Sequence, residues 1–258
     1  MIIEPFTTIA ADVEIGSGTW IGPNVTIMDG ARIGKDCRIF PGAVISSVPQ
    51  DLKYRGEKTT CVIGDRTTIH EGVTVSRGTQ AAGTTRVGDD CLLMAYVHVA
   101  HDCILGNHVI LANYVGLTGH CQVDDYAIIG GLAGTHQFTK IGAHAMIAGG
   151  TLIRKDVPPY TKAAKEPISY IGVNSIGLHR RGFTSEKVDE IACFTRAGTT
   201  FPRHWRSSNK PFLPPKNGTR SSVSSASRSA ASCADTPGAP IRTPKKNKQN
   251  FITHTDSS

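Results

Sequence analysis

Five of the ten histidines fall in one stretch, Val97 to Gln137, which reads VHVAHDCILGNHVILANYVGLTGHCQVDDYAIIGGLAGTHQ. His101 is followed directly by Asp102, and His120 is preceded directly by Gly119. A histidine beside a carboxylate can act as a general base near neutral pH. A glycine N–H leaves room for a developing oxyanion to approach. The same crowding admits a second chemistry, because His98, His101 and His120 would suffice as zinc ligands. Which of these side chains meet depends on the elements that carry them.

Those elements are set by a six-residue repeat. Ile3, Ile9, Ile15, Ile21, Ile27, Ile33, Ile39 and Ile45 recur at every sixth position, then Ile63, Ile69 and Val75, then Val87 through Ile153. Of 23 such positions, 22 are branched aliphatic and only Thr135 departs. Helices and alternating strands do not give period six; a hexapeptide β-solenoid does. The fourth residue after each aliphatic one is small, as in Val25, Cys37, Cys91, Cys103, Cys121 and Ala127. A thin triangular prism requires this, with large side chains on the axis and small ones where walls converge. Glycines just after the aliphatic position, such as Gly16, Gly34 and Gly142, are expected to permit the bends. Cys37, Cys61, Cys91, Cys103 and Cys121 all occupy the small slot, so packing is the expected role of those thiols.

Two segments interrupt the coil without changing its phase: 46–62, SSVPQDLKYRGEKTTCV, and 79–85, TQAAGTT. Loops projecting from a rigid scaffold are where ligand contacts concentrate. The reading divides the chain into a solenoid over 1–157, ended by Pro158-Pro159, a post-solenoid segment over 158–194, and a tail over 195–258. Thr184-Ser185-Glu186-Lys187 predicts a capped helix start with Val188 and Ile191 on one face. The tail is rich in Ser, Pro, Lys and Arg without hydrophobic period, which predicts disorder.

Composition narrows the function. The net charge of +7 belongs to the C-terminal part: residues 191–258 hold 11 Lys+Arg and 2 Asp+Glu, leaving 17 and 19 for residues 1–190. The solenoid therefore carries no nucleic-acid footprint. No apolar run reaches the length of a membrane span, and no secretory leader is evident at the N-terminus. The seven cysteines form no CxxC pair, which favours a reducing, cytoplasmic setting over a disulfide framework.

Three hexapeptides make one coil, so residues 18 apart stack, separated by roughly 4.8 Å. From Val87 onward this arithmetic places His101 under Gly119 and Gly119 under Gln137, Asp102 under His120, and His136 over Thr118. His101, Asp102, Gly119, His120, His136 and Gln137 then share one edge, with His98 half a repeat away. In such a patch His101 is the base, Asp102 orients it, and the Gly119 N–H is the oxyanion donor. His70, His108 and His144 fall elsewhere and are expected to be solvated.

The motifs QDLKY (Gln50 to Tyr54), HVAHDC (His98 to Cys103), Gly119-His120, GTHQF (Gly134 to Phe138), DVPPY (Asp156 to Tyr160) and GLHRRGF (Gly177 to Phe183) occur in this order. Over roughly residues 3–192 the chain resembles the UDP-N-acetylglucosamine O-acyltransferases of lipid A biosynthesis. The resemblance implies an all-β fold, a left-handed parallel β-helix, with a short helical remnant after it. It also implies a homotrimer with sites between subunits, and no cofactor or metal. The implied reaction moves an (R)-3-hydroxyacyl group from acyl carrier protein to the glucosamine 3-hydroxyl of UDP-N-acetylglucosamine.

By the matching motifs Asp51, Lys53, His98, His120, His136 and Gln137 would hold substrate, and Asn174, Arg180 and Arg181 would meet the nucleotide or the carrier. Gly149, with Met146 nearby, matches the position that sets acyl length. The chain departs from the family pattern at its start, within the usual second coil, and after Phe194, where the tail replaces a helical domain. The related N-acyltransferase of the same pathway, a β-helix zinc lyase of the γ-carbonic-anhydrase type and a non-catalytic solenoid are the alternatives.

Overall fold

A computed structural model describes residues 1–196. The predicted tail, 195–258, lies almost wholly outside the described residues. Twenty-four short strands, mostly of two or three residues, form three parallel walls, joined by one antiparallel strand at the C-terminal end. The first wall has ten strands and runs from Ile2–Ile3 to Thr161–Ala164, then Ser169–Val173; the second has eight, from Thr8–Ile9 to Leu152–Ile153; the third has seven, from Val13–Ile15 to Lys140–Ile141. This is the left-handed parallel β-helix.

The register follows the period. Ile3 pairs with Ile21 and Leu93 with Leu111, each 18 residues on. Across the first interruption the offset is 30, Ile45 to Val75; across the second it is 24, Val75 to Val99. The insertions therefore amount to 12 and 6 extra residues, whole hexapeptides, which is why neither disturbs the phase. The aliphatic column from Ile21 to Ile153 forms one continuous buried core. Removing such a side chain, as in Leu117→Ala, costs about 2–5 kcal/mol.

The small slot does more than admit close walls. Where it holds Thr or Cys, the side chain can donate to a turn carbonyl of the next coil: Thr19 to Gly34 at 2.9 Å, Cys91 to Gly106 at 3.2 Å and Cys103 to Thr118 at 3.1 Å. Thr67 also accepts from the Cys91 N–H at 3.1 Å. Cysteine and threonine suit this slot because they combine small volume with a donor that satisfies a buried carbonyl. Five of the cysteines are there, buried and free.

Two sequence expectations need correction. The bends are not made just after the aliphatic residue; the left-handed backbone falls on the third residue after it, as at Asp36, Asp102, His108 and His120. Asp, Asn and His tolerate that conformation better than most side chains. Glycines such as Gly16 serve close stacking instead, since a Cβ there would lie 2.5 Å from the Gly34 carbonyl carbon.

Nor do Pro158 and Pro159 end the solenoid. Val157 bridges Ile141, and Thr161–Ala164 still pairs in parallel with Met146–Ile147. The prolines fall at a corner, where no ladder N–H is needed, and the last coil is shorter by two residues, with Ile147 opposite Ala163. Ser169–Val173 then returns antiparallel. Helix α1 (Ser175–Arg180) and helix α2 (Ser185–Arg196) follow. As predicted, Thr184 caps α2, accepting from the Lys187 N–H on its hydroxyl and from the Val188 N–H on its carbonyl. Val188 and Ile191 are buried with Leu178 and Tyr160.

Candidate active site

Both insertions leave the second wall and re-enter the third, after Val44–Ser47 and after Thr74–Ser76. They therefore arise at one corner of the prism, the same corner that carries Asp102, His120 and Phe138 in later coils. Asp51, Lys53, Tyr54 and Glu57 of the first loop, Thr79, Gln80 and Ala81 of the second, and His120 line a cavity of about 400 Å³.

At the base of this corner His101 and Asp102 are buried, 5% and 4% exposed. His101 Nδ1 and Asp102 Oδ2 are 2.9 Å apart. Asp102 is held from the other side by Thr79, whose N–H donates to Oδ1 at 2.9 Å and whose hydroxyl donates to Oδ2 at 2.6 Å. The Asp102 N–H donates to the Thr85 hydroxyl at 2.8 Å. Burial works against the carboxylate charge, but the hydrogen bonds from Thr79 and His101 outweigh it and keep Asp102 below its ordinary range. A charged Asp102 selects the tautomer of His101 with hydrogen on Nδ1, leaving the Nε2 lone pair free to accept a proton.

Nε2 faces the next coil. A Cβ built on Gly119 would lie 2.8 Å from it and 2.6 Å from Cε1, so only glycine leaves the imidazole in place. The Gly119 N–H has no acceptor among the described residues. At another corner the equivalent N–H groups are taken: Asp89 donates to Asn107 Oδ1 at 2.9 Å and Asn107 to Asp125 Oδ1 at 2.7 Å. At Gly119 no such side chain takes the N–H.

His120 lies edge-on to His101 with ring centroids 5.1 Å apart, and stacks on Phe138 at 4.6 Å. Its Nε2 is 3.7 Å from Asp102 Oδ2. His101, Asp102 and His120 thus each present a ligand atom within 4.8 Å of the others. His98, grouped with them in the zinc alternative, is instead turned to Thr74, 2.7 Å from its hydroxyl. Asp102 Oδ2 already accepts from Thr79 and His101, which suits a hydrogen-bonded relay better than a metal site. Burial, and then the proximity of His101, push the His98 pKa down. His136 and Gln137 are exposed above this level.

The remaining residues carried over from the family resemblance do not join this corner on a single chain. Gly149 lies beside the left-handed column of Tyr96, Tyr114 and Leu132, at the corner between the first and second walls, and Met146 is on the first wall. Asn174 caps α1 through the Gly177 N–H and donates to the His144 carbonyl at 3.0 Å. Arg181 sits over the Tyr126 ring, 5.2 Å from its centroid, and donates to the Tyr126 carbonyl. These groups tie the helical segment to the third corner, while Arg180 is exposed.

Sequence reading missed Thr79 and Thr85. Both fall in the small-slot phase, a signal obscured by their place in an apparently flexible insertion. It also mistook His144 for a solvated residue, whereas the His108 side chain is 42% exposed, as expected. With Tyr126 and Tyr160 they form one stack, at spacings of 4.5, 4.9 and 5.4 Å. Among the described residues His144 Nδ1 is buried without a partner, and desolvation, followed by the charge of Arg181, lowers its pKa to about 4.

The repeat and the corner together define a class. The pattern described as bacterial transferase hexapeptide (six repeats) matches residues 12–47 and 84–119. That described as Udp N-acetylglucosamine O-acyltransferase, domain 2, matches residues 156–197. A curated acyl-[acyl-carrier-protein]–UDP-N-acetylglucosamine O-acyltransferase of Herminiimonas arsenicoxydans is 47% identical over 203 residues, covering 74% of this chain and 78% of that protein. The one of Xanthomonas axonopodis pv. citri is 49% identical over 204 residues with the same coverage. For the one of Verminephrobacter eiseniae, 49% identical, the match spans 62% of this chain and 61% of the relative.

Among solved structures, the UDP-N-acetylglucosamine acyltransferase of Campylobacter jejuni superposes with a TM-score of 0.73 at 36% identity, covering 80% of this chain and 81% of that one. That of Bacteroides fragilis gives 0.70 at 40% identity, covering 83% and 88%. The chain belongs to the UDP-N-acetylglucosamine O-acyltransferase family.

Proposed function

We propose that this chain transfers a 3-hydroxyacyl group from acyl carrier protein to the 3-hydroxyl of UDP-N-acetylglucosamine, with His101 as general base. The observation that carries this is the buried Thr79–Asp102–His101 relay placed beneath Gly119. His101 Nε2 removes the proton from the acceptor hydroxyl, whose oxygen attacks the thioester carbonyl carbon. The resulting oxyanion accepts the Gly119 N–H, a kind of donor worth about 10²–10³-fold in rate. Collapse expels the carrier thiolate, which takes the proton back from His101. Asp102 stabilises the imidazolium in between. No protein nucleophile is required, since the acceptor supplies the attacking oxygen.

Asp51, Lys53, His98, His120, His136 and Gln137 hold the substrates around this corner. Asn174, Arg180, Arg181, Gly149 and Met146 take the roles carried over from the family only if another subunit supplies them. On one prism they occupy other corners or walls, which supports a homotrimer with sites between copies. A glycine at 149 leaves the acyl groove open to a long chain. Among the described residues no helix is long and apolar enough to cross a membrane.

The test is incubation of the purified chain with UDP-N-acetylglucosamine and 3-hydroxyacyl carrier proteins of graded length. The expected product is an ester on the glucosamine 3-oxygen, formed best from long acyl donors. An amide product, or no transfer, overturns the reading; strong preference for short donors overturns the role of Gly149.

A further inference from the structure

The one non-aliphatic residue of the axial column, Thr135, lies one coil above the proposed oxyanion donor. In neighbouring coils the residue after the aliphatic one donates its N–H to a backbone carbonyl of the next coil. Ala100 donates to Leu117 at 3.0 Å, Ala112 to Ile129 at 2.9 Å and His136 to Ile153 at 2.8 Å. Thr118, the residue before Gly119, does not follow this pattern. Its N–H donates to the Thr135 hydroxyl oxygen at 2.9 Å, while its own hydroxyl donates to the Thr135 carbonyl at 3.0 Å. One rung of the ladder has been exchanged for two side-chain bonds.

The exchange acts on the peptide that matters. The Thr118 carbonyl and the Gly119 N–H belong to one planar trans peptide, so fixing one end directs the other to the opposite side. The carbonyl accepts the Cys103 thiol at 3.1 Å from within the core, which turns the Gly119 N–H outward. The residue preceding that peptide is tethered to Thr135, whose hydroxyl is itself 3.1 Å from the Cys121 sulfur. Thr135 is 8% exposed and is not among the residues that line the cavity at this corner, so it acts on the site through Thr118.

We propose that Thr135 is a positioning residue for the oxyanion donor: its hydroxyl replaces a backbone rung and thereby sets the tilt of the Thr118–Gly119 peptide above His101. The inference rests on the acyl-transfer reading. A methyl in place of the hydroxyl lets Thr118 return to the ordinary rung, moving the Gly119 N–H away from the position the oxyanion takes. Misplacement of a catalytic group by a fraction of an ångström costs rate and not ground-state binding.

The test is steady-state kinetics of Thr135→Val, Thr135→Ser and Thr118→Val beside the wild type. Valine restores the residue class that fills the rest of the column, so Thr135→Val is expected to fold with an unchanged or higher Tm. Its kcat is expected to fall about tenfold, with KM for both substrates within twofold. Thr135→Ser keeps the hydroxyl and is expected to retain kcat within twofold, while Thr118→Val, which removes the other half of the exchange, falls as Thr135→Val does. An active wild type with Thr135→Val within twofold in kcat overturns the proposal. So does a serine variant as slow as the valine one, since the methyl and not the hydroxyl would then matter. A folded wild type without transfer overturns the acyl-transfer reading itself, a distinct outcome.

Discussion

The chemistry proposed for this corner depends on how firmly one carboxylate is held. Asp102 takes two hydrogen bonds from Thr79 and one from His101, and those bonds keep it ionised despite burial. Its folded pKa is depressed, so its contribution to stability is present above the unfolded value, about 3.9, and is lost as pH falls from there through the lower folded value. Thr79→Val removes the hydroxyl donor but keeps the N–H. The expected result is a several-fold fall in kcat with little change in KM, and a weaker loss of stability in acid. Steady-state kinetics and urea unfolding between pH 3 and 7 check both parts. An unaltered kcat in a well-folded Thr79→Val would mean that Asp102 does not need this support.

At the scale of the elements, the period-six phase made most of the fold legible. It placed His101 under Gly119 because axial isoleucines and leucines, not the histidines, fix the register. The insertions stayed legible for the same reason, since each adds whole hexapeptides. What the phase could not show was contact between a loop and the coil. Thr79 is 23 residues from Asp102 in sequence and reaches it only because both insertions open at one corner. The prolines misled because proline forbids a ladder N–H, yet these two stand where none is used.

The aromatic column at the third corner was also hidden, because a histidine looks polar in isolation, whereas His144 packs in the stack with Nδ1 buried. That column carries a pH signature. His144 is kept neutral to about pH 4 by burial and Arg181, whereas in the unfolded chain it protonates near 6.5. The unfolded state therefore binds more protons between these values, and stability falls as pH drops from about 6.5 toward 4. His144→Phe continues the stack between Tyr126 and Tyr160 without a titrating group. Its stability, measured by urea unfolding across that window, is expected to lose that part of the slope; an unchanged slope would assign it to other groups.

For the whole molecule, the distribution of residues over three corners decides what a single copy can do. The proposed base and oxyanion donor stand at one corner, Gly149 at a second, and the Asn174 and Arg181 anchor at a third. Tyr96, Tyr114 and Leu132 leave an apolar stripe more than half exposed on the second corner, the kind of surface that a subunit contact covers. Sedimentation equilibrium is expected to give a mass three times that of the chain, with activity per chain falling as dilution dissociates it. A fully active monomer would contradict a site shared between subunits.

In the proposed reaction His101 Nε2 removes the acceptor proton. The most direct measurement is acyl transfer to UDP-N-acetylglucosamine by the wild type and by His101→Ala, at equal folded concentration and saturating substrates. A positioned general base contributes about 10²–10⁴-fold, and the variant is predicted to lose kcat within that range while still binding UDP-N-acetylglucosamine. Transfer by His101→Ala within a few-fold of the wild type would mean that another group takes the proton.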